Sequence, residues 1–327
     1  MMQFKLTGTA IARSAVLCFV VLGPVPHAAA DETAQAWFER MNYAVENLNY
    51  RGTFVHLREN RIDTLDVLHK VENDLVFERM TSRSGPPREF IRNGDEVHCI
   101  VESRKEVLVD RGQQQNPLVA TLPVFGAELS KNYDLRFAAH NQPVAGRNTV
   151  YIGIVPKDGY RYGYRMWLDE ETAMPLVCEM VDNDGKLIET LHFTSIEFNP
   201  EFSPTAFEPT MDTQDFRWID STSKQAAVET TENHWVAGEV PRGFALSISN
   251  VEEAGDKRVE HYVYSDGLAM VSVFAERRAP GEQEIRGARS LGVTNAFGRV
   301  EGDYQITVVG EVPLDTVKII GNSFRPK

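Results

Sequence analysis

From Tyr50 to Phe198 apolar side chains recur at every second position, segment after segment, with turn-forming residues between them. That period fits strands with one buried and one wet face. A helix would place its buried residues three and four apart. Strands are expected over 51–57, 64–71, 74–79, 88–92, 96–101 and 105–109, then over 135–139, 148–155, 160–168, 176–181 and 186–198. Asn93-Gly94 is the strongest hairpin signal, because a two-residue type I′ turn needs a positive φ twice. Asp158-Gly159 and Asp182-Asn183-Asp184-Gly185 supply further turns. The latter resembles part of a calcium loop, but the oxygen ligands expected on either side are missing, so it reads as a hairpin.

One helix precedes the strands, over about 33–48, with Trp37, Met41, Val45 and Leu48 on a single apolar stripe. Residues 112–132 break the alternation and read as short helical pieces or a cover. Pro200, Pro204 and Pro209 close the strand-rich region, and the polar stretch 212–233 has the composition of a linker. A second unit begins near Trp235, with strands expected over 244–251, 259–264, 269–275 and 304–309. A last helix starts near Pro313 and carries Leu314, Val317, Ile320 and Phe324 at helical spacing, with the Gly321-Asn322 step leaving its last turn open. The expected class is α+β: antiparallel sheets with few helices. Expected boundaries are 1–30 for a leader, 31–205 for a large domain, 206–234 for a linker and 235–327 for a small domain.

The leader rests on order. Lys5 and Arg13 precede an apolar run, Ala15 to Leu22, then Pro24 and Pro26, then Ala28-Ala29-Ala30. That is a secretory signal, with cleavage expected between Ala30 and Asp31. The apolar run is too short to span a bilayer, and no later stretch is long enough. Leu17 before Cys18 argues against a lipidated cysteine. The remaining chain is expected to be secreted, not membrane-spanning. Losing Lys5 and Arg13 leaves it more acidic than the whole chain's net −13, and such a field repels nucleic acid, excluded here as a partner. Cys99 and Cys178 are left after cleavage. Each alternates with apolar neighbours, so they are either two buried thiols or one disulfide, and sequence does not decide between them.

A search for chemistry returns little. The histidines fall in no metal-binding spacing, and nucleophile elbows, phosphate loops and dinucleotide fingerprints are absent. Ser221-x-x-Lys224 lacks its partner motifs, while Glu170-Glu171 and Glu252-Glu253 sit in turns. No catalytic residue, metal or cofactor is expected. In 160–168, Tyr160, Tyr162, Tyr164, Met166 and Leu168 share one face, which suits either a concave sheet holding something apolar or an ordinary core under the helix.

The run Met166-Trp167-Leu168-Asp169-Glu170-Glu171-Thr172-Ala173-Met174-Pro175-Leu176, followed by Asp184-Gly185 and Phe193-x-x-Ile196-x-Phe198-Asn199, resembles the late sheet of the periplasmic lipoprotein-carrier (LolA/LolB-like) fold. Trp235, Pro241-Arg242-Gly243-Phe244, Tyr264-Ser265-Asp266-Gly267-Leu268 and the run Ile306 to Pro313 resemble the C-terminal domain of the MucB/RseB family. Met41-Asn42, Leu48-Asn49-Tyr50 and Arg161-Tyr162-x-Tyr164 extend that likeness over about 34–324. The resemblance implies a half-open antiparallel barrel with helices, followed by a small sheet with a helix. It also implies a non-enzymatic periplasmic regulator of an envelope-stress sigma factor. Such a protein binds the periplasmic domain of a MucA/RseA-type anti-sigma factor and shields it from proteolysis until lipid or lipopolysaccharide releases it. A carrier of lipid or lipoprotein is the alternative, and a homo-oligomer is left open. Candidate cavity residues are Phe54, Val76, Phe90, Leu122, Phe125, Tyr162, Tyr164 and Phe193. Arg79, Arg83, Arg88 and Arg92 around one hairpin are candidates for lipid phosphate. Trp235, Phe244, Tyr264, Arg277, Arg278, Arg286 and Arg289 are candidates for partner contact; an open edge beside strand 269–275 could take a partner's strand or helix, and sequence does not tell which edge is open.

Overall fold

The alternating segments become one twelve-stranded sheet: β1 (Tyr50–Arg58), β2 (Arg61–Glu72), β3 (Leu75–Ser82), β4 (Arg88–Asn93), β5 (Glu96–Val101), β6 (Glu106–Arg111), β7 (Tyr133–Ala138), β8 (Thr149–Pro156), β9 (Gly163–Asp169), β10 (Pro175–Val181), β11 (Leu187–Phe198) and β12 (Arg217–Asp220). The computed structural model describes residues 27–58, 61–111, 129–138, 142–220, 228–229, 234–254, 257–279 and 281–327, the backbone alone at 27–33, 228–229, 252–254 and 257. Leu122, Phe125, most of 112–132 and the leader up to residue 26 lie outside them, and the side chains at the expected cleavage point are not described. Strand order is β12-β6-β5-β4-β3-β2-β1-β11-β10-β9-β8-β7. The end strands do not pair with each other, so the sheet is open. All ladders described are antiparallel except β12 on β6.

Helix α1 (His27–Asn47) starts upstream of the expected position. Ala34, Phe38, Met41 and Val45 are its buried stripe, with Trp37 at the margin. They pack on the inner face of the sheet against Tyr50, Phe54, Val67, Ile152, Met166, Leu168 and Phe193. Where β1 meets β11 beside a bulge, only Gly52 fits, because a Cβ there would lie 2.6 Å from the Ser195 carbonyl oxygen and 3.0 Å from the Phe193 ring. The β4–β5 hairpin forms as the Asn93-Gly94 signal predicts, but the turn residues are Gly94-Asp95 and only Gly94 has positive φ. The turn with two positive φ values is Asn73-Asp74, between β2 and β3.

The outer face carries a second small core of Ile91, Ile100, Val107 and Val109. Met211 and Phe216 cap it. This corrects the linker reading of 206–220: a strap lies across the sheet, and β12 joins its edge. Thr210 donates its backbone N–H to Glu89 Oε2 at 2.9 Å. Polar composition hides this, because two apolar side chains suffice to hold the strap. Residues 221–227 and 230–233 lie outside the described ones.

The small domain holds β13 (Val228–Glu229), β14 (Trp235–Ala237), β15 (Ala245–Ala254), β16 (Lys257–Ser265), β17 (Met270–Arg277), β18 (Gly287–Leu291), β19 (Thr294–Glu301), β20 (Tyr304–Gly310), helix α2 (Leu314–Ser323) and β21 (Phe324–Pro326). Seven strands follow the order β13-β15-β16-β17-β20-β19-β18, and β14 pairs with β21. Val317 and Ile320 of α2 bury against Tyr262, Tyr264, Val271, Val273, Ile306 and Val308. Gly321 is packed against the Phe297 ring, which leaves no room for a Cβ, and α2 continues past the Gly-Asn step to Ser323.

Candidate functional site

The four hairpin arginines do not form one patch. Cross-strand partners share a face, and Glu78 pairs with Arg92 while Arg79 pairs with Ile91. Arg79 and Arg83 therefore face outward, into a pocket of about 530 Å³ that also takes in Arg51, Thr53, Asp66, Thr81, Ser195, Glu197 and Thr210. Arg51 pairs with Glu197 at 2.6 Å and Arg83 with Asp66 at 2.5 Å. Arg79 Nη1 donates to the Glu208 carbonyl at 3.3 Å. Arg88 stands 3.9 Å from Asp63. Arg92 is buried on the inner face, its Nε donating to the Gly94 carbonyl at 2.9 Å.

The candidate cavity residues also separate. Phe54 and Phe193 are core, their ring centroids 5.4 Å apart. Phe90 and Tyr164 are half-buried against that core, and Val76 is half-buried on β3. Tyr162 lies outside the strands altogether: β9 begins at Gly163, not Tyr160, and the Tyr162 hydroxyl accepts from Asn295 Nδ2 of the small domain at 3.0 Å.

Trp235, Phe244 and Tyr264 are buried, so they do not offer themselves to a partner in this state. Trp235 stacks on Phe324 with centroids 5.7 Å apart. Arg278 and Arg286 are both taken by Glu284, at 3.0 and 2.5 Å. Strand β17 lies inside the sheet, between β16 and β20; the sheet ends on β13 at one side and on the β18 edge at the other. Arg277 and Arg289 are exposed, Arg289 on that edge. Cys99 and Cys178 are both free thiols, on β5 and β10 with five strands between them, so the disulfide alternative is dropped. Burial pushes the Cys178 thiol up to about 12 and the Cys99 thiol up as well. Among the described residues no group of His, Cys, Asp or Glu is arranged to hold a metal ion, and no helix is long and apolar enough to cross a membrane.

What the sequence reading missed is the joint between the domains. The loop before β9 presents three consecutive residues to the small domain. The Tyr160 carbonyl accepts from Thr316 Oγ1 of α2 at 2.6 Å, and Tyr162 meets Asn295 of β19. Arg161 meets the turn between β16 and β17, its Nε 2.7 Å from Asp266 Oδ2 but off the line of a hydrogen bond. Its Nη1 reaches Asp158 at 2.5 Å and its Nη2 donates to the Arg242 carbonyl at 2.7 Å. The guanidinium carbon lies 4.9 Å from the Phe244 ring centroid. Tyr133 donates its hydroxyl to Asp266 Oδ2 at 3.0 Å, and burial together with that carboxylate pushes the phenol up, so it remains a donor. Arg58, at the end of β1, pairs with Glu311 at 2.6 Å. Leu268 packs into the large domain's core. Ser265-Asp266-Gly267 carries a turn signature, and nothing in its spacing shows that its carboxylate faces another domain.

Comparison with known families is decisive. Residues 33–211 match the model of the MucB/RseB N-terminal domain and residues 229–325 that of the MucB/RseB C-terminal domain. The chain belongs to the MucB/RseB family. It is 28% identical over 316 residues to the sigma factor AlgU regulatory protein MucB of Pseudomonas aeruginosa, covering 94% of this chain and 96% of the relative. It is 24% identical over 304 residues to the sigma-E factor regulatory protein RseB of Escherichia coli K12, covering 91% and 92%. Among solved structures, the Pseudomonas aeruginosa MucA/MucB complex superposes with a TM-score of 0.69 at 26% identity, covering 90% of this chain and 99% of that one. MucB alone gives 0.57 at 28% identity, covering 90% and 98%. MucB/RseB relatives are thus named as regulatory proteins, not as enzymes.

Proposed function

We propose that this MucB/RseB-family chain is a periplasmic, non-enzymatic negative regulator of an envelope-stress sigma factor. It binds the periplasmic domain of a MucA/RseA-type anti-sigma factor and shields it from proteolysis until a lipidic signal lowers the affinity. The observation that carries this reading is the match of both domains, in order, to relatives named for that regulation. The β18 edge supports a docking mode. Among the described residues its backbone is unpaired on one side, and Arg277 and Arg289 have no ion-pair partner. An extended acidic segment fits such an edge as an added strand. Arg51, Arg79 and Arg83 around the outer pocket are the candidates for lipid phosphate, with Glu197 on Arg51 and Asp66 on Arg83 as competitors. Release follows from linkage: a lipid favouring a state that binds the partner poorly weakens the partner by its own differential affinity.

The test is calorimetric titration of residues 31–327 with the anti-sigma periplasmic domain, with and without lipopolysaccharide, alongside protease protection of that domain. Binding and protection that lipopolysaccharide reverses are expected. Absence of both binding and protection ends the reading.

A further inference from the structure

The small domain meets the large one at a point where both charges are out of water. The side chains of Arg161 and Asp266 are 1% and 0% exposed. Such a pair holds well when intact, but removing one partner leaves the other charge desolvated and costly. A half-open joint would do the same, so the joint has two favourable positions, shut or fully parted. The surroundings favour the shut one. Asp266 Oδ1 is occupied by its own turn, accepting from the Leu268 and Ala269 backbone at 2.9 and 2.7 Å. That leaves Oδ2 for Tyr133 and Arg161 of the other domain. Phe244, from the small domain, lies against the guanidinium.

We propose that Arg161, Tyr133 and Asp266 form an interdomain latch that opens as one unit, with Tyr160 and Tyr162 following because they flank Arg161 in the same loop. The latch goes beyond the regulatory reading, since it concerns the free protein. A ligand that binds the shut and parted states unequally is coupled through the joint to any ligand that needs both domains in register.

Hydrogen exchange followed by mass spectrometry on residues 31–327 tests this. Asp266→Asn keeps an Oδ1 acceptor for the turn but removes the charge and puts an N–H opposite Arg161. Exchange over 157–162, 241–244 and 312–316 is expected to rise about 100-fold or more, with the interiors of β8, β9, β16 and β17 unchanged. The double variant Arg161→Met, Asp266→Asn keeps the turn acceptor, removes the cation left opposite the amide and is expected to recover at least about tenfold of that loss. Three results overturn the latch. Interface exchange in Asp266→Asn stays within about threefold of the parent, or β16 and β17 exchange as freely as the interface, or the double variant is as open as the single.

Discussion

Glu78 and His69 are cross-strand partners on the inner face of the large sheet, and neither side chain has any exposed surface. His69 Nδ1 is 2.8 Å from the Leu48 carbonyl, while its Nε2 and both Glu78 carboxylate oxygens have no hydrogen-bond partner among the described residues. Burial pushes Glu78 up to about 8 against the pull of Arg92, and burial pushes His69 down to about 4. Folding therefore favours the neutral form of each.

The two groups oppose each other in pH. The stability linked to Glu78 is fully present below about 4.5, its ordinary value, and is lost as pH rises to about 8. That linked to His69 is present above 6.5 and is lost as pH falls to about 4. Between about 4.5 and 6.5 they cancel. From 6.5 to 8 only Glu78 acts, and stability should fall by about 2 kcal/mol. Denaturant unfolding across this range checks it, and Glu78→Gln should flatten the fall. A slope identical in parent and variant would show that Glu78 is ionised throughout.

Cys178 should resist thiol reagents at pH 8, because burial holds its thiol protonated well above that pH. Cys99, half-buried on β5, should react first, and denaturation should release both. Mass measured with and without reductant should be unchanged. A shift of two hydrogens would mean that the strands rearrange to form a bridge.

Replacing Met211 and Phe216 together by Ser should free the strap from Ile91, Ile100, Val107 and Val109, costing about 2–4 kcal/mol by lost apolar burial. Dye binding at the exposed patch and faster exchange over β12 would accompany it. If the unfolding midpoint did not move, the strap would be a passive tether after all.

Arg289→Glu on the β18 edge should weaken the acidic partner about tenfold, mainly through the association rate and less so at high salt. Arg104→Glu, at an exposed arginine of the large domain, is the control. Equal losses in the two variants would place the partner elsewhere than on this edge.

The sequence by itself determined most of the elements, though not β12, β18, β19 or the short β13, β14 and β21. Alternation at Phe54, Val67 or Met166 fixes which side chains share a face, because that period is a local property of an extended chain. Turn chemistry at Gly94 and Gly185, the stripe on α1 and the start of α2 at Pro313 were legible for the same reason. The C-terminal motifs pointed to the family. Tertiary structure decided everything that depends on which strands meet. It separated Arg79 from Arg92 by pairing Glu78 with Arg92, and it placed five strands between Cys99 and Cys178. It also buried Trp235 and Phe244, and turned Arg161 and Tyr162 from strand residues into the seat of the second domain. Those outcomes rest on contacts between residues far apart in the chain, and no local pattern of charge or hydrophobicity encodes the partner a side chain will find.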